Sequence, residues 1–530
     1  MNLRNIKEYC KYSNNLSFKI LIFFTKTLII IVSTIIVLNI SFTLEFLTLK
    51  KKFFSLSIEI ENSLFIISII LIRTFVIFFI CYYISKEINF SNFITITLYF
   101  ILSIIVLILS KRMFIILVGW EGLGISSFFL ICYYKNWESL NNSLITLFTN
   151  KIGDITFLFL CIYFITETSK LEIHKNFWIL ILLTIITKRA QFPFIRWLPA
   201  AMSAPTPISS LVHSSTLVTA GILLIRKFPT IIPNTLKTSI CIIIILSLCL
   251  SRCIGIFTKD FKKIVAYSTL SQISIILLCI CINLKSLSMF HLYTHAFFKR
   301  LLFFSVGNII HNNNNSQEYR SYSNCFKSRN FNCIVIIISL LSISSLIFIS
   351  GFYRKECIIE NFLNKNISFF IPLVYFIFSL TIIYCIKIFI VFYKIWKLQT
   401  NKKELRSQYL LCCTSSIFLS IILGNFLNNN FLLSIESFLW GENCSLIILI
   451  LTAILLMSFN INFPNFINTL INLWTSKIKV PFILKTISSF ENVTLLKTFK
   501  SLNYFLYTKL SSIKILEYLL FLSILLLFVL

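Results

Sequence analysis

The stretch Gln191-Phe-Pro-Phe-Ile-Arg-Trp-Leu-Pro-Ala-Ala-Met-Ser-Ala-Pro-Thr-Pro207 decides the fold. Proline lacks a backbone N–H and clashes with the preceding turn, so Pro193, Pro199, Pro205 and Pro207 must interrupt any helix that enters this segment. The apolar run from Phe177 to Thr187 leads into it. A broken helix between apolar runs is a membrane feature with a purpose. Freed backbone groups survive at membrane depth only where protein or water receives them, and in transporters such breaks mark ion sites near the midplane. An ordinary loop between two spans is the plain alternative; Lys188 and His213, on either side of the prolines, point instead to the lining of such a site.

The rest of the 530 residues agree with a membrane setting. Hydrophobic residues make up 57% of the chain and charged residues 13%, against about 25% charged in soluble domains. Apolar runs near 27–44, 63–84, 92–110, 113–134, 143–166, 236–256, 265–284, 332–350, 367–394 and 444–463 are each long enough for a helix across ~30 Å of hydrocarbon. With the less regular segments they predict an all-α membrane protein of roughly 14–16 transmembrane helices, at ~20 residues per span. The lipid bilayer is the first partner this implies.

The formal charge of +29 does not describe a nucleic-acid surface, which needs basic residues clustered with stacking aromatics on one solvated face. Here the cations are scattered between apolar runs, as at Lys50–Lys52 and Lys402–Lys403, where they also orient spans. The 16 cysteines contain no Cys-x-x-Cys pair and no metal-ligand spacing, so no metal, haem or iron–sulfur site is expected. No phosphate-cradling loop appears among the 10 glycines. The abundance of Phe, Ile, Asn and Lys reads as drift toward AT-rich codons, a mark of an organellar gene. The first 26 residues show no cleavable signal, which fits synthesis inside the organelle.

Most of the 19 acidic residues lie in polar loops or at span ends. Glu121, Asp154 and Glu356 instead lie inside or beside apolar runs, where a carboxylate costs ~2.5–3.5 kcal/mol or more and is a functional candidate by default. Candidate buried bases accompany them. Lys188 ends an apolar run. His291, His295 and Lys299 are four residues apart, so a helix stacks them on one face. Lys355 precedes Glu356 just after Gly351, a possible second helix break. A buried lysine can lose its proton near neutral pH and histidine needs little perturbation to do so, so the row permits proton transfer without nucleophile or metal. The recurrence of a lysine beside a break, at 188 and 355, suggests an internal repeat. A helix-pinning ion pair, and a satisfied core histidine, are the plain structural alternatives for any one of these groups.

Val118-Gly-Trp-Glu-Gly-Leu-Gly-Ile-Ser-Ser-Phe-Phe-Leu-Ile131, Lys188-Arg-Ala-Gln-Phe-Pro-Phe194, the segment from Trp197 to Gly221, Asp260-Phe-Lys-Lys-Ile-Val-Ala-Tyr-Ser-Thr269, Thr294-His-Ala-Phe-Phe-Lys299 and Gly351-Phe-Tyr-Arg-Lys-Glu356 closely resemble the antiporter-like membrane subunits of respiratory NADH:ubiquinone oxidoreductase (complex I). The resemblance spans about 113–360. It implies transmembrane helices over 1–112, an antiporter-like core of two inverted repeats over 113–400, further transmembrane helices over 401–480, and a lateral amphipathic helix with a last span over 481–530. It also implies that Glu121 and Lys188 pair in the first half. His213, Lys262, His291, His295 and Lys299 would form a central axis, Lys355 and Glu356 an exit, and Lys151 and Asp154 a supporting network. Lys151 replaces the family's usual Arg, Arg189 a usual small residue and Arg354 a usual Ser, and Glu356 stands where Asp is common.

By the same resemblance this chain carries no cofactor. FMN, iron–sulfur clusters and quinone belong to other subunits, the expected partners are other membrane-arm subunits, above all the subunit 4 homologue, and the place is the mitochondrial inner membrane. A stand-alone Na⁺/H⁺ antiporter subunit of the same ancestry is the alternative.

Overall fold

The computed structural model describes residues 42–48, 51–58, 60–84, 90–110, 113–166, 175–212, 216–227, 234–282, 284–312, 316–318, 330–344 and 378–389, most of 409–420, and positions Gly351, Lys355 and Ile358. All lie in the first of two compact units, Met1–Ile461 and Asn462–Leu530. The lateral helix and last span expected over 481–530 lie outside the described residues, as do most of 401–480, His213 and Glu356.

The helices, in order, are α1 (Ile60–Tyr83), α2 (Phe90–Leu109), α3 (Met113–Ile131), α4 (Trp137–Thr166), α5 (Lys175–Lys188), α6 (Trp197–Ala200), α7 (Thr206–Leu211), α8 (Ala220–Lys227), α9 (Asn234–Phe257), α10 (Phe261–Cys281), α11 (Lys285–Asn312) and α12 (Asn330–Ser344). Among the described residues, six helices are long and apolar enough to cross a membrane: Phe65–Tyr83, Phe90–Leu109, Met113–Tyr134, Trp137–Ile162, Ile240–Phe257 and Phe261–Cys281. In lipid a helix is the one open-chain form that satisfies all its own backbone groups.

One element departs from the all-helical expectation for 1–112. Residues Phe42–Thr48 (β1) and Lys51–Ile58 (β2) form an antiparallel hairpin. Its pairs Phe42↔Ile58, Leu44↔Leu56 and Phe46↔Phe54 alternate with Thr43↔Ser57 and Glu45↔Ser55. That period of two is a strand signal, which the apolar-run reading passed over.

Packing places the polar helices at the centre. The apolar window of α10 is wholly buried, whereas only 33% of that of α9 and 39% of that of α4 is. α4 turns Leu144, Phe148, Ile152, Ile155, Phe159 and Ile162 outward, a stripe of helical spacing. α10 instead carries Ser268, Thr269, Ser271, Gln272 and Ser274, all buried. The hydroxyls donate to carbonyls of their own helix, Ser268 to Val265 at 2.7 Å and Thr269 to Ala266 at 2.7 Å. Small residues satisfied in this way let membrane helices approach closely.

The proline segment breaks the helix as the sequence predicts. After Lys188 the backbone turns through Ala190 at φ 54°, and short helices α6 and α7 follow, separated by the extended Ala204 and Pro205. Side chains receive the freed carbonyls: the Trp197 indole donates to Thr187 O at 2.8 Å, and Lys262 Nζ to Ala204 O at 3.1 Å.

Candidate proton-relay site

At the front of the site α3, α4 and α5 bring together Trp120, Asp154 and Lys188. Lys188 is 1% exposed and its Nζ lies 3.3 Å from Asp154 Oδ1. The same Oδ1 accepts the Trp120 indole N–H at 3.0 Å. Lys188 Nζ also donates to Trp120 O at 3.4 Å and sits 5.0 Å from the centre of the Trp120 ring. The other carboxylate oxygen, Oδ2, is 3.6 Å from Lys151 Nζ, whose side chain is 44% exposed. One buried carboxylate is thus shared between an enclosed lysine and a lysine open to the outside. Gly124 adjoins this pair, and a Cβ there would meet Lys188 Nζ at 3.5 Å and Asp154 Oδ2 at 3.9 Å, ordinary contact distances.

Glu121 lies elsewhere. Among the described residues no ion pair joins it to Lys188. Adjacent residues on a helix point about 100° apart, so Trp120 faces Lys188 while Glu121, half-buried, follows the outward residues Phe114 and Val118. Tyr99 of α2 is within its electrostatic reach. The counter-ion of Lys188 in this conformation is Asp154, which the family resemblance assigns only to the supporting network.

The central row forms on α10 and α11. His291, His295 and Lys299 are each 0% exposed. His291 Nε2 stands 3.3 Å from Gln272 Oε1, and the His291 and His295 rings meet edge-on with centres 6.4 Å apart. Lys299 Nζ donates to Ser268 Oγ, whose own proton goes to Val265 O. Lys262, 3% exposed, reaches the broken segment at Ala204 instead.

Lys355 repeats the arrangement of Lys299. Its Nζ donates to Ser344 O at 3.0 Å and to Thr381 Oγ1 at 3.1 Å, and the Thr381 hydroxyl gives its proton to Phe378 O at 2.6 Å. Each lysine therefore meets a hydroxyl oriented to accept, the arrangement that suits an ammonium with three donors and no acceptor. Gly351 packs so tightly on α12 that a Cβ would collide with the Ser342 carbonyl oxygen.

The chemistry available is proton exchange among buried bases. Sequence reading missed Trp120, Ser268, Gln272 and Thr381, because neutral polar residues in apolar runs do not stand out until a helix partner presents a lysine or histidine to them. Trp120, adjoining Glu121, and Ser268, within Asp260–Thr269, lie inside quoted motifs, while Gln272 and Thr381 carried no such signal.

The family described as NADH:quinone oxidoreductase/Mrp antiporter, transmembrane, matches residues 110–382, the stretch that holds this entire row. The chain belongs to this family. Among its relatives, NADH-ubiquinone oxidoreductase chain 5 of Caenorhabditis elegans is 36% identical over 76% of this chain and 74% of its own length. The protein of the same name from Aedes aegypti is 35% identical over 73% of this chain and 68% of its own length. Family resemblance extends to the fold of solved structures. An archaeal membrane-bound sulfane sulfur reductase shares 18% identity at TM-score 0.70, over 78% of this chain and 90% of that one. The Mrp complex of Dietzia sp. DQ12-45-1b shares 20% at TM-score 0.71, over 95% of this chain and 59% of that one.

Proposed function

We propose that this chain is a proton-translocating membrane-arm subunit of NADH:ubiquinone oxidoreductase in the mitochondrial inner membrane, with the electron carriers on other subunits. The observation that carries the reading is the buried Lys188–Asp154 pair at the head of a row of enclosed bases, on helices interrupted by prolines. Its relatives named NADH-ubiquinone oxidoreductase chain 5 support the assignment to that complex.

The relay runs as follows. Protonated Lys188 is held by Asp154. Withdrawal of the carboxylate toward Lys151 leaves an enclosed ammonium with the Trp120 carbonyl and ring as its neighbours, an uncompensated buried charge that is costly to keep. The proton passes along the row of His291, His295 and Lys299, with Lys262 at the broken segment and His213 as a further candidate base from the sequence. It leaves through Lys355 and Glu356. When a lysine in this row is neutral, the hydroxyl facing it can rotate to donate instead, so Ser268 and Thr381 follow the protonation state of Lys299 and Lys355. Each charge change is an electrostatic event in a medium where charges interact strongly, which lets a rearrangement at one pair bias the next.

Glu121 supports a neighbour on this side. A carboxylate at mid-span on an outward face does not rest against hydrocarbon without large cost, and a cationic or hydrogen-bonding group of an adjoining subunit, the subunit 4 homologue in this reading, would satisfy it.

Lys188→Met tests the function. The expected result is reduced proton translocation per NADH oxidised in an assembled complex. Unchanged stoichiometry in the assembled variant rejects the relay, and migration of the chain apart from NADH dehydrogenase activity on a native gel favours an antiporter.

A further inference from the structure

Lys299 and Lys355 each meet a hydroxyl, and the surroundings of those two hydroxyls share a third. Ser268, which accepts from Lys299 Nζ, lines a cleft with Arg252, Tyr267, Ser271 and Tyr384. Thr381, which accepts from Lys355 Nζ at 3.1 Å, lies on the helix Phe378–Phe389, three residues before Tyr384. That spacing sets Thr381 and Tyr384 on one helix face. Cys385, the next residue, is within electrostatic reach of Lys355, Lys299 and Arg252 together. Tyr384 therefore stands where the environments of the two lysines join.

The fold gains nothing from its hydroxyl. Tyr384 is 3% exposed and its phenol oxygen has no hydrogen-bond partner, a state that is costly for a buried polar group. Phenylalanine would fill the same space without that cost. The serines of the cleft are engaged with backbone, Ser268 donating to Val265 O at 2.7 Å and Ser271 to Ser268 O at 2.9 Å. The cleft is too narrow to admit a water, so passage of a proton across it falls to side chains. A phenol suits that task, because it both donates and accepts, whereas an ammonium only donates.

Arg252 completes the arrangement. It is 1% exposed, none of its guanidinium nitrogens has a hydrogen-bond partner, and it interacts electrostatically with Tyr384. Its charge is permanent. In an enclosed place such a charge attracts the phenol oxygen strongly and stabilises negative charge that gathers there while one proton leaves and another arrives.

We propose that Tyr384 carries protons between Lys299 and Lys355, with Arg252 as the positioning residue for its oxygen. This rests on the relay proposed above. In the transfer an N–H bond of Lys299 breaks and its proton moves to Ser268 Oγ. The Ser268 proton moves to the Tyr384 oxygen, the Tyr384 proton to Thr381 Oγ1, and the Thr381 proton to the Nζ of a neutral Lys355. One N–H bond is lost and one is gained, each hydroxyl ends with one proton, and no electron changes hands. Ser268 and Thr381 then turn back to their carbonyls.

The test uses the assembled complex in vesicles, with protons translocated per NADH oxidised as the readout. Tyr384→Phe should assemble, keep the native thermal midpoint and translocate several-fold fewer protons. Tyr384→His, whose ring also donates and accepts, should recover part of the loss, and Tyr267→Phe, a phenol of the same cleft outside the path, should behave as native. Native proton translocation by Tyr384→Phe overturns the proposal. Failure of Tyr384→Phe to assemble overturns it too, because the hydroxyl would then hold the fold. Loss of transport in Lys188→Met with native transport in Tyr384→Phe rejects the tyrosine step alone, whereas native transport in both rejects the relay.

Discussion

Asp154 Oδ1 lies 3.3 Å from Lys188 Nζ and 3.0 Å from the Trp120 indole nitrogen, while Oδ2 of the same carboxylate faces Lys151 at 3.6 Å. One enclosed anion thus stands between a fully buried cation and a half-exposed one. The exposed pair contributes little to stability. The enclosed pair is where loss of a partner matters.

Removing the carboxylate leaves Lys188 charged and enclosed. Breaking a buried pair from one side costs about 3–5 kcal/mol, so Asp154→Asn should lower the thermal stability of the assembled complex and abolish most coupled proton transport. The double variant Asp154→Asn with Lys188→Met should recover the stability but not the transport. Thermal unfolding of the complex and NADH-driven proton uptake by vesicles would check both, and equal stability of single and double variants would contradict the pairing.

The hydroxyl facing Lys299 should matter for transport more than for folding. Ser268→Ala removes a charge-assisted hydrogen bond from Lys299 worth about 1.5–3 kcal/mol, and the complex should assemble with proton transport reduced several-fold. Ser268→Thr keeps the hydroxyl and should retain most of it. Transport at native level in Ser268→Ala would rule out a role for this hydroxyl.

Lys262 binds the carbonyl that the proline break leaves at Ala204. Lys262→Met frees a buried carbonyl at a cost of about 1–3 kcal/mol, whereas Lys262→Arg supplies donors again. Thermal unfolding of the complex should show a lowered midpoint in the first variant and a native one in the second.

Gly351 faces the rigid Ser342 carbonyl, and Gly255 faces only Tyr267 Cβ at 3.5 Å. Gly351→Ala should therefore prevent assembly of the chain into its complex while Gly255→Ala assembles normally, as read on native gels. Normal assembly of both would mean that α12 does not need this close approach.

The sequence by itself determined the membrane setting, because no arrangement of 57% hydrophobic residues leaves enough polar groups to face water. It also determined the break at 191–207, because proline cannot continue a helix whatever surrounds it. The row of candidate bases was legible for the related reason that a charge in an apolar run is costly in any fold.

Only the tertiary structure decided which groups meet. Trp120 and Glu121 are neighbours in the chain, yet a turn of about 100° sends one to Lys188 and the other outward. Asp154 became the counter-ion because α4 and α5 pack side by side, a relationship thirty-four residues of sequence separation do not reveal. Ser268 and Thr381 look like ordinary small polar residues of apolar helices until lysines from α11 and from position 355 are laid against them. Cost of burial is local and can be read from composition, whereas the partner that relieves it comes from another helix and is fixed only by packing.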